Sequence, residues 1–255
     1  MKTYLDTNIL YYVHSGNKQD LKIAEQNITS INALEFLKNI EKVHTNKAKY
    51  HIPRTNSMFH YNGIIGAKEY FKKRNHPLNK RLSDYIIFDF SKDFESYALY
   101  NNESISQVIN NKYSELFFLS ISFLEKSEIK DIRNKFNFLL DLKLNCESIT
   151  ENDIELAYDL LDRFIQIHSL KDDFRNCWND ILILSKSINE GGKLITSDKL
   201  LNRFASEIYN GKINESKEVL EIEFPNENNE TKRLEKPESK GYINRGWNYK
   251  IRKGN

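Results

Sequence analysis

The chain predicts an α/β fold with a parallel sheet, and three observations carry that expectation. Short β-like runs at residues 2–5 and 193–196 each lead straight into a helix-like run. A helix over Asn179–Glu190, the Gly191-Gly192 stop and the strand Lys193–Thr196 form one αβ unit, which returns the chain to the sheet edge where it began. A right-handed crossover places that strand in the same parallel sheet as the first. Between the two ends lies a long stretch that reads as mostly helical, so the class is α/β with a largely helical insertion.

In order, the strand at 2–5 is followed by a helix from Thr7 to Val13, broken at Gly16-Asn17. A polar helix is expected over Asp20–Gln26 and a short strand over Ile28-Thr29-Ser30. Apolar residues at 31, 34, 37 and 40 predict a helix over Ile31–Val43. Asp84–Phe90 reads as a strand. Asn102 to Leu144 reads as helical, with Leu116, Phe117, Leu119, Ile121, Phe123 and Leu124 in a segment buried on most sides. Thr150-Glu-Asn-Asp153 is a capping box opening a helix whose apolar face is Ile154, Ala157, Leu161, Phe164 and His168. Lys199–Ile208 faces inward through Leu201, Phe204 and Ile208, and Val219–Phe224 alternates as a late strand. The expected domains are a core of 1–45 with 146–224, an insertion of 46–145, basic then helical, and a flexible tail of 225–255.

Composition narrows the function classes. The 255 residues are 39% hydrophobic and 29% charged, enough for a real core, and the net charge is only +2. Any signal for nucleic acid must therefore be local. Residues 46–81 carry nine Lys or Arg against the single acid Glu69, with Tyr50, Phe59, Tyr61, Tyr70 and Phe71 interleaved. Lys47, Lys49, Arg54, Lys72, Lys73 and Arg74 make a candidate track for a phosphate backbone, with aromatics for base stacking. A solvated lysine-rich surface would look the same. Lys240–Asn255 repeats the pattern more weakly. His51, His60 and His76 lack metal spacing. Cys146 and Cys177 share no zinc spacing and read as two free thiols. No basic start is followed by an apolar run, and no stretch approaches a membrane span, so the expectation is a cytoplasmic chain with no membrane partner.

Asp6 and Asp198 each follow a strand and precede a helix. If the two strands are parallel neighbours, both acids emerge at one carboxyl edge, where open α/β sheets bind ligands. Asp180 opens the helix that leads back to Asp198. Hard cations such as Mg²⁺ and Mn²⁺ take carboxylate oxygens. Plainer roles compete: Asp6, Asp180 and Asp198 all suit helix N-termini, and Asn32-Ala-Leu-Glu35 is itself a capping pattern. Asp172 and Asp173 rival Asp180, while Asp153 is assigned to capping. A phosphoacceptor aspartate of the haloacid-dehalogenase type carries a second Asp two residues on; Asn8 stands there instead and argues against that class.

The segments YLDTNIL (4–10), ITSINALEFL (28–37) and NDILILSKSINEGGKLITSDKLL (179–201) together resemble a PIN-domain nuclease, of the superfamily that includes the VapC-type toxin ribonucleases. The resemblance covers residues 2–41 and about 147–210. It implies a three-layer α/β/α fold and an acidic pocket binding Mg²⁺ or Mn²⁺. By that match Asp6 is the first aspartate, Glu35 the helix glutamate, Asp180 the third acid and Asp198 the last; Asn8 and Thr196 hold the acids in place. The implied activity is metal-dependent endonuclease cleavage, with RNA the favoured substrate. A DNA-directed or phage-defence nuclease and a non-catalytic scaffold are the alternatives. Residues 43–146 and the tail are additions to the compact members and are expected to shape substrate choice. By the same resemblance, an antitoxin or regulatory protein and a second copy of the chain in a homodimer are the candidate protein partners.

Overall fold

The computed structural model describes residues 1–17, 21–40, 48–55, 83–94, 96–168, 174–208, 212–216, 219–224 and 245–253. The chain divides into two compact units: Met1–Asn32 with Ile149–Asn244, and Ala33–Ser148 with Arg245–Asn255. Among the described residues no helix is long and apolar enough to cross a membrane.

The first unit is a three-layer α/β/α arrangement. Its strands are β1 (Thr3–Leu5), β2 (Asn27–Thr29), β6 (Lys193–Thr196), β7 (Lys212–Ser216) and β8 (Val219–Glu223), in the order β2-β1-β6-β8-β7. β1 lies parallel to both β2 and β6, with Tyr4 opposite Leu194 and Leu5 opposite Ile195. The chain leaves β1 for β2 on one side and later returns as β6 on the other, so strand order reverses at β1. Tyr4, Leu5 and Leu194 are fully buried or nearly so, as a central parallel strand requires. β8 closes the far side antiparallel to β6 and to β7. The sequence did not announce β7, because KINES lacks the alternation that marks β8.

Helix α1 (Thr7–His14) follows β1, and α2 (Ser30–Phe36) follows β2. Residues 21–26 form coil and a turn rather than the expected polar helix. α2 stops at Phe36, well short of Val43, and Lys38 turns the chain through a left-handed backbone conformation. α6 (Glu151–Ile167) starts at the expected capping box, in which Asp153 accepts from the Thr150 amide and Thr150 accepts from the Asp153 amide. α6 packs along α7 (Phe174–Asn189), with the Tyr158 and Trp178 rings stacked at 5.2 Å. α7 begins five residues before the expected start at Asn179, so Asp180 sits in its second turn. Gly191, in a left-handed conformation, ends α7. A Cβ on Gly192 would lie 3.0 Å from the Lys2 carbonyl and 3.2 Å from the Tyr4 ring, so this glycine lets β6 close against β1. α8 (Lys199–Ile208) buries Leu201, Phe204 and Ala205.

The second unit contains an antiparallel sheet of β3 (Tyr85–Asp89), β4 (Tyr97–Tyr100) and β9 (Asn248–Arg252), in the order β4-β3-β9. With it are α3 (Asn102–Asn110), α4 (Ser114–Ser120), α5 (Lys126–Asp141) and β5 (Asn145–Glu147). The expected all-helical stretch 102–144 is three helices, and only part of its middle is buried: Phe117 is fully enclosed while Phe123 is exposed. Phe117 stacks on Phe136 at 4.0 Å. β9 corrects the expectation that 225–255 is a tail throughout. Tyr249 and Ile251 pair with Phe88 and Ile86 and alternate with exposed Asn248, Lys250 and Arg252, which is a half-buried strand. Cys146 and Cys177 are free, as expected, and both are buried; burial pushes the Cys146 thiol up to about 12.

Candidate functional site

The carboxyl ends of β2, β1 and β6 are joined by one hydrogen-bond network. Leu5 pairs with Ile195, and the Asp6 amide donates to the Ile195 carbonyl at 2.9 Å. The next residue of each strand is therefore a polar one: Asp6 after β1, and Thr196 closing β6. Asp6 is 3% exposed. Its Oδ2 accepts from the Thr196 hydroxyl at 2.6 Å and from Asn8 Nδ2 at 2.7 Å, and its Oδ1 accepts from the Thr7 amide at 2.6 Å. The Thr196 oxygen in turn accepts from the Asp198 amide at 2.9 Å. Asn8 Oδ1 accepts from the Ser197 amide at 3.3 Å. One hydroxyl thus ties the first aspartate to the backbone of the last, although 190 positions separate Thr196 from Asp6.

Asp6 caps α1, and the Asp198 Oδ1 accepts from the Leu200 and Leu201 amides at 2.8 and 3.0 Å, capping α8. The capping roles weighed against the two acids are therefore present. They coexist with the shared position at the strand ends, because a cap fixes a carboxylate without moving it from the edge. Asp180 is half-buried and lines a small cleft with Phe164, Cys177, Ile181, Leu200 and Leu201. The two leucines belong to the turn that Asp198 caps, so the cleft lined by Asp180 lies beside the start of α8.

Glu35 lies on α2 in the second unit at intermediate exposure. The capping pattern read at Asn32–Glu35 is in fact Thr29–Asn32. The Thr29 amide donates to Asn32 Oδ1 at 2.8 Å and the Asn32 amide to Thr29 Oγ1 at 3.2 Å. Asn32 is fully buried, and its Nδ2 donates to Thr7 Oγ1 at 3.1 Å. Asn32, Thr7 and Thr29 are members of the network that the sequence did not single out. The signal was a hydroxyl three residues before an amide at a strand–helix junction, masked by the overlapping Asn32–Glu35 pattern.

Of the basic candidates, Lys49 pairs with Glu128, and Arg54 Nη2 donates to Glu103 at 2.8 Å. Both cations are thus engaged within the second unit. Lys47, Lys72, Lys73 and Arg74 lie outside the described residues, as do Asp172, Asp173, His60, His76, Phe59, Tyr61, Tyr70 and Phe71.

Among the described residues, no three of His, Cys, Asp and Glu stand together as a metal-ligand group. The donor chemistry nevertheless suits Mg²⁺ or Mn²⁺. The oxygens are hard, and Mg²⁺ keeps several waters, needing only one or two carboxylates from the protein beside a substrate phosphate. No family model, curated protein or solved structure matches the chain.

Proposed function

We propose that the chain is a divalent-metal-dependent endonuclease acting on RNA, with Asp6 and Asp198 as its principal acids. The observation that carries this reading is the Thr196 hydroxyl, which donates to the Asp6 carboxylate and accepts from the Asp198 amide at the ends of two adjacent parallel strands. That edge, beside the reversal of strand order, is where α/β sheets take ligands. A bound Mg²⁺ or Mn²⁺ would supply a water nucleophile at neutral pH and relieve charge on the phosphate.

The chain's own residues hold the carboxylates still. Asn8 and Thr196 fix Asp6 Oδ2, and the first amide of α1 fixes Oδ1. Asp198 is locked by the first turn of α8. Asp180 is assigned to the same site through the cleft it shares with Leu200 and Leu201. The role of Glu35 rests on its match to the family's helix glutamate, and Glu35→Gln tests it.

A second reading draws on the two caps: Asp6 and Asp198 would serve a non-catalytic scaffold equally well as structural residues. The deciding experiment incubates the protein with tRNA, mRNA, single-stranded DNA and branched DNA, with Mg²⁺ or with chelator. Metal-dependent cleavage of RNA, lost in Asp6→Asn and Asp198→Asn, supports the nuclease. Cleavage of DNA alone moves the substrate to the defence alternative, and cleavage of nothing leaves the scaffold.

A further inference from the structure

β9 alternates strictly. Tyr249 and Ile251 turn toward Phe88 and Ile86, while Asn248, Lys250 and Arg252 stand on the exposed side. Residues 245–253 hold Arg245, Lys250, Arg252 and Lys253 and no acid. The acids nearest this strand are already engaged. Asp89, opposite Asn248, accepts from the Ser91 amide at 2.9 Å. Asp93 accepts from Trp247 Nε1 at 2.8 Å and pairs with Arg245 at 3.5 Å, and Glu103 accepts from Arg54 and pairs with Lys253 at 3.8 Å, so the exposed side of the strand is centred on Lys250 and Arg252. The Arg252 guanidinium lies 5.8 Å from the centre of the Tyr85 ring, in cation–π range. The result is an edge strand with two exposed cations on one side, Lys250 and Arg252, about 6.8 Å apart.

We propose that this exposed side of β9, centred on Lys250 and Arg252, binds the phosphate backbone of single-stranded RNA. Charge complementarity names a polyanion, and two cations side by side on an extended strand suit neighbouring phosphates of an extended chain. The choice of RNA as that polyanion rests on the nuclease reading. A competing explanation exists for cations here: charge on an edge strand prevents it from pairing with other chains. That role is satisfied by charge of either sign. Reversing the sign therefore separates the two, since acids would still guard the edge but would repel phosphate.

The test measures binding of the full chain to a fluorescent, unstructured RNA oligonucleotide by anisotropy, in chelator so that no metal-dependent cleavage intervenes. The variant is K250E/R252E. The control, K126E/K130E, makes the same change in net charge at two exposed lysines of α5. The expected result is a Kd raised about tenfold or more for K250E/R252E, and a slope of log affinity against log salt reduced by about 1.4, two contacts at about 0.7 each on a single strand. The control stays near wild type. K250Q/R252Q, which adds no repulsion, shows the same loss of slope with a smaller rise in Kd. Failure of the wild type to bind, an unchanged slope in K250E/R252E, or an equal loss in the control overturns the proposal. Absence of cleavage by the wild type would count against the nuclease reading and leave this binding result intact.

Discussion

Two aspartates, one in each unit, are nearly as buried as any apolar residue, and they sit in different surroundings. Asp84, 3% exposed, lies just before β3 and accepts from the Glu103 and Ser104 amides at 2.6 and 3.0 Å and from the Ser104 hydroxyl. It caps α3 from a distance, because Asn101, at the cap position in a left-handed conformation, spends its own side chain on Ile52, Tyr50 and Ser83. Burial raises the Asp84 pKa, with the Ser104 hydroxyl and the two amides pulling against it. Asp6 is as deeply set and also caps a helix. It differs in its neighbours: its partners come from its own strand end and from Thr196, the last residue of a second parallel strand, two positions before Asp198. Burial and capping are common to both aspartates; the meeting of two strand ends is found at Asp6, and the proposed function rests on it.

The largest effect that would break this comparison is on cleavage. Asp6→Asn should lower RNA cleavage by about 10³-fold, the several kcal/mol that a metal-held phosphate contributes in the transition state, with little change in thermal midpoint. Equal loss of cleavage per folded molecule in Asp84→Ala would erase the distinction. Next comes the hydroxyl that joins the two strands. Thr196→Val keeps the shape and removes the donor to Asp6, so cleavage or Mn²⁺ affinity should fall about 10–100-fold, as for groups that orient metal ligands. Asn32→Ala, one bond further out through Thr7, should show a smaller loss in the same assay. An Asn32→Ala loss exceeding that of Thr196→Val would mean that the network is not ordered as described.

Asp84→Ala strands two amides and a hydroxyl and should cost about 1–3 kcal/mol in denaturant unfolding, with cleavage per folded molecule unchanged. The smallest effect lies at the amino end of β1. The Lys2 ammonium donates to Glu190 at 2.8 Å and lowers the Glu190 pKa, partly against burial and with help from Lys186. A depressed carboxylate stabilises the fold above its unfolded pKa of about 4.3 and loses that contribution as pH falls. Glu190→Gln should therefore cost about 0.2–1 kcal/mol near pH 7, since the pair is partly exposed. The difference from wild type should vanish on acidification, and a difference that grows toward low pH would contradict the assignment.

The acid edge was legible because an aspartate stands between strand and helix at both Asp6 and Asp198, one residue beyond Leu5 and two beyond Thr196, and the Gly191-Gly192 stop fixes where β6 begins. The start of α7 was not, since the cap-type pair Asn179-Asp180 inside the helix drew the expected boundary five residues too late. Asn32 was hidden by two overlapping capping patterns in one stretch. β4, four residues long, offers too short a run to show a period. β9 was read as tail because its exposed cations dominate the composition, and only pairing with β3 reveals Tyr249 and Ile251 as an inner face. The partners of Lys49 and Arg54 lie more than 45 positions away, and no local pattern announces them.

The most direct test of the central claim is a calorimetric titration of Mn²⁺ into the wild type and into Asp6→Asn and Asp198→Asn. Saturable binding is expected in the wild type, abolished or strongly weakened in each variant while the fold is retained. No binding by the wild type, or undiminished binding by both variants, would contradict it.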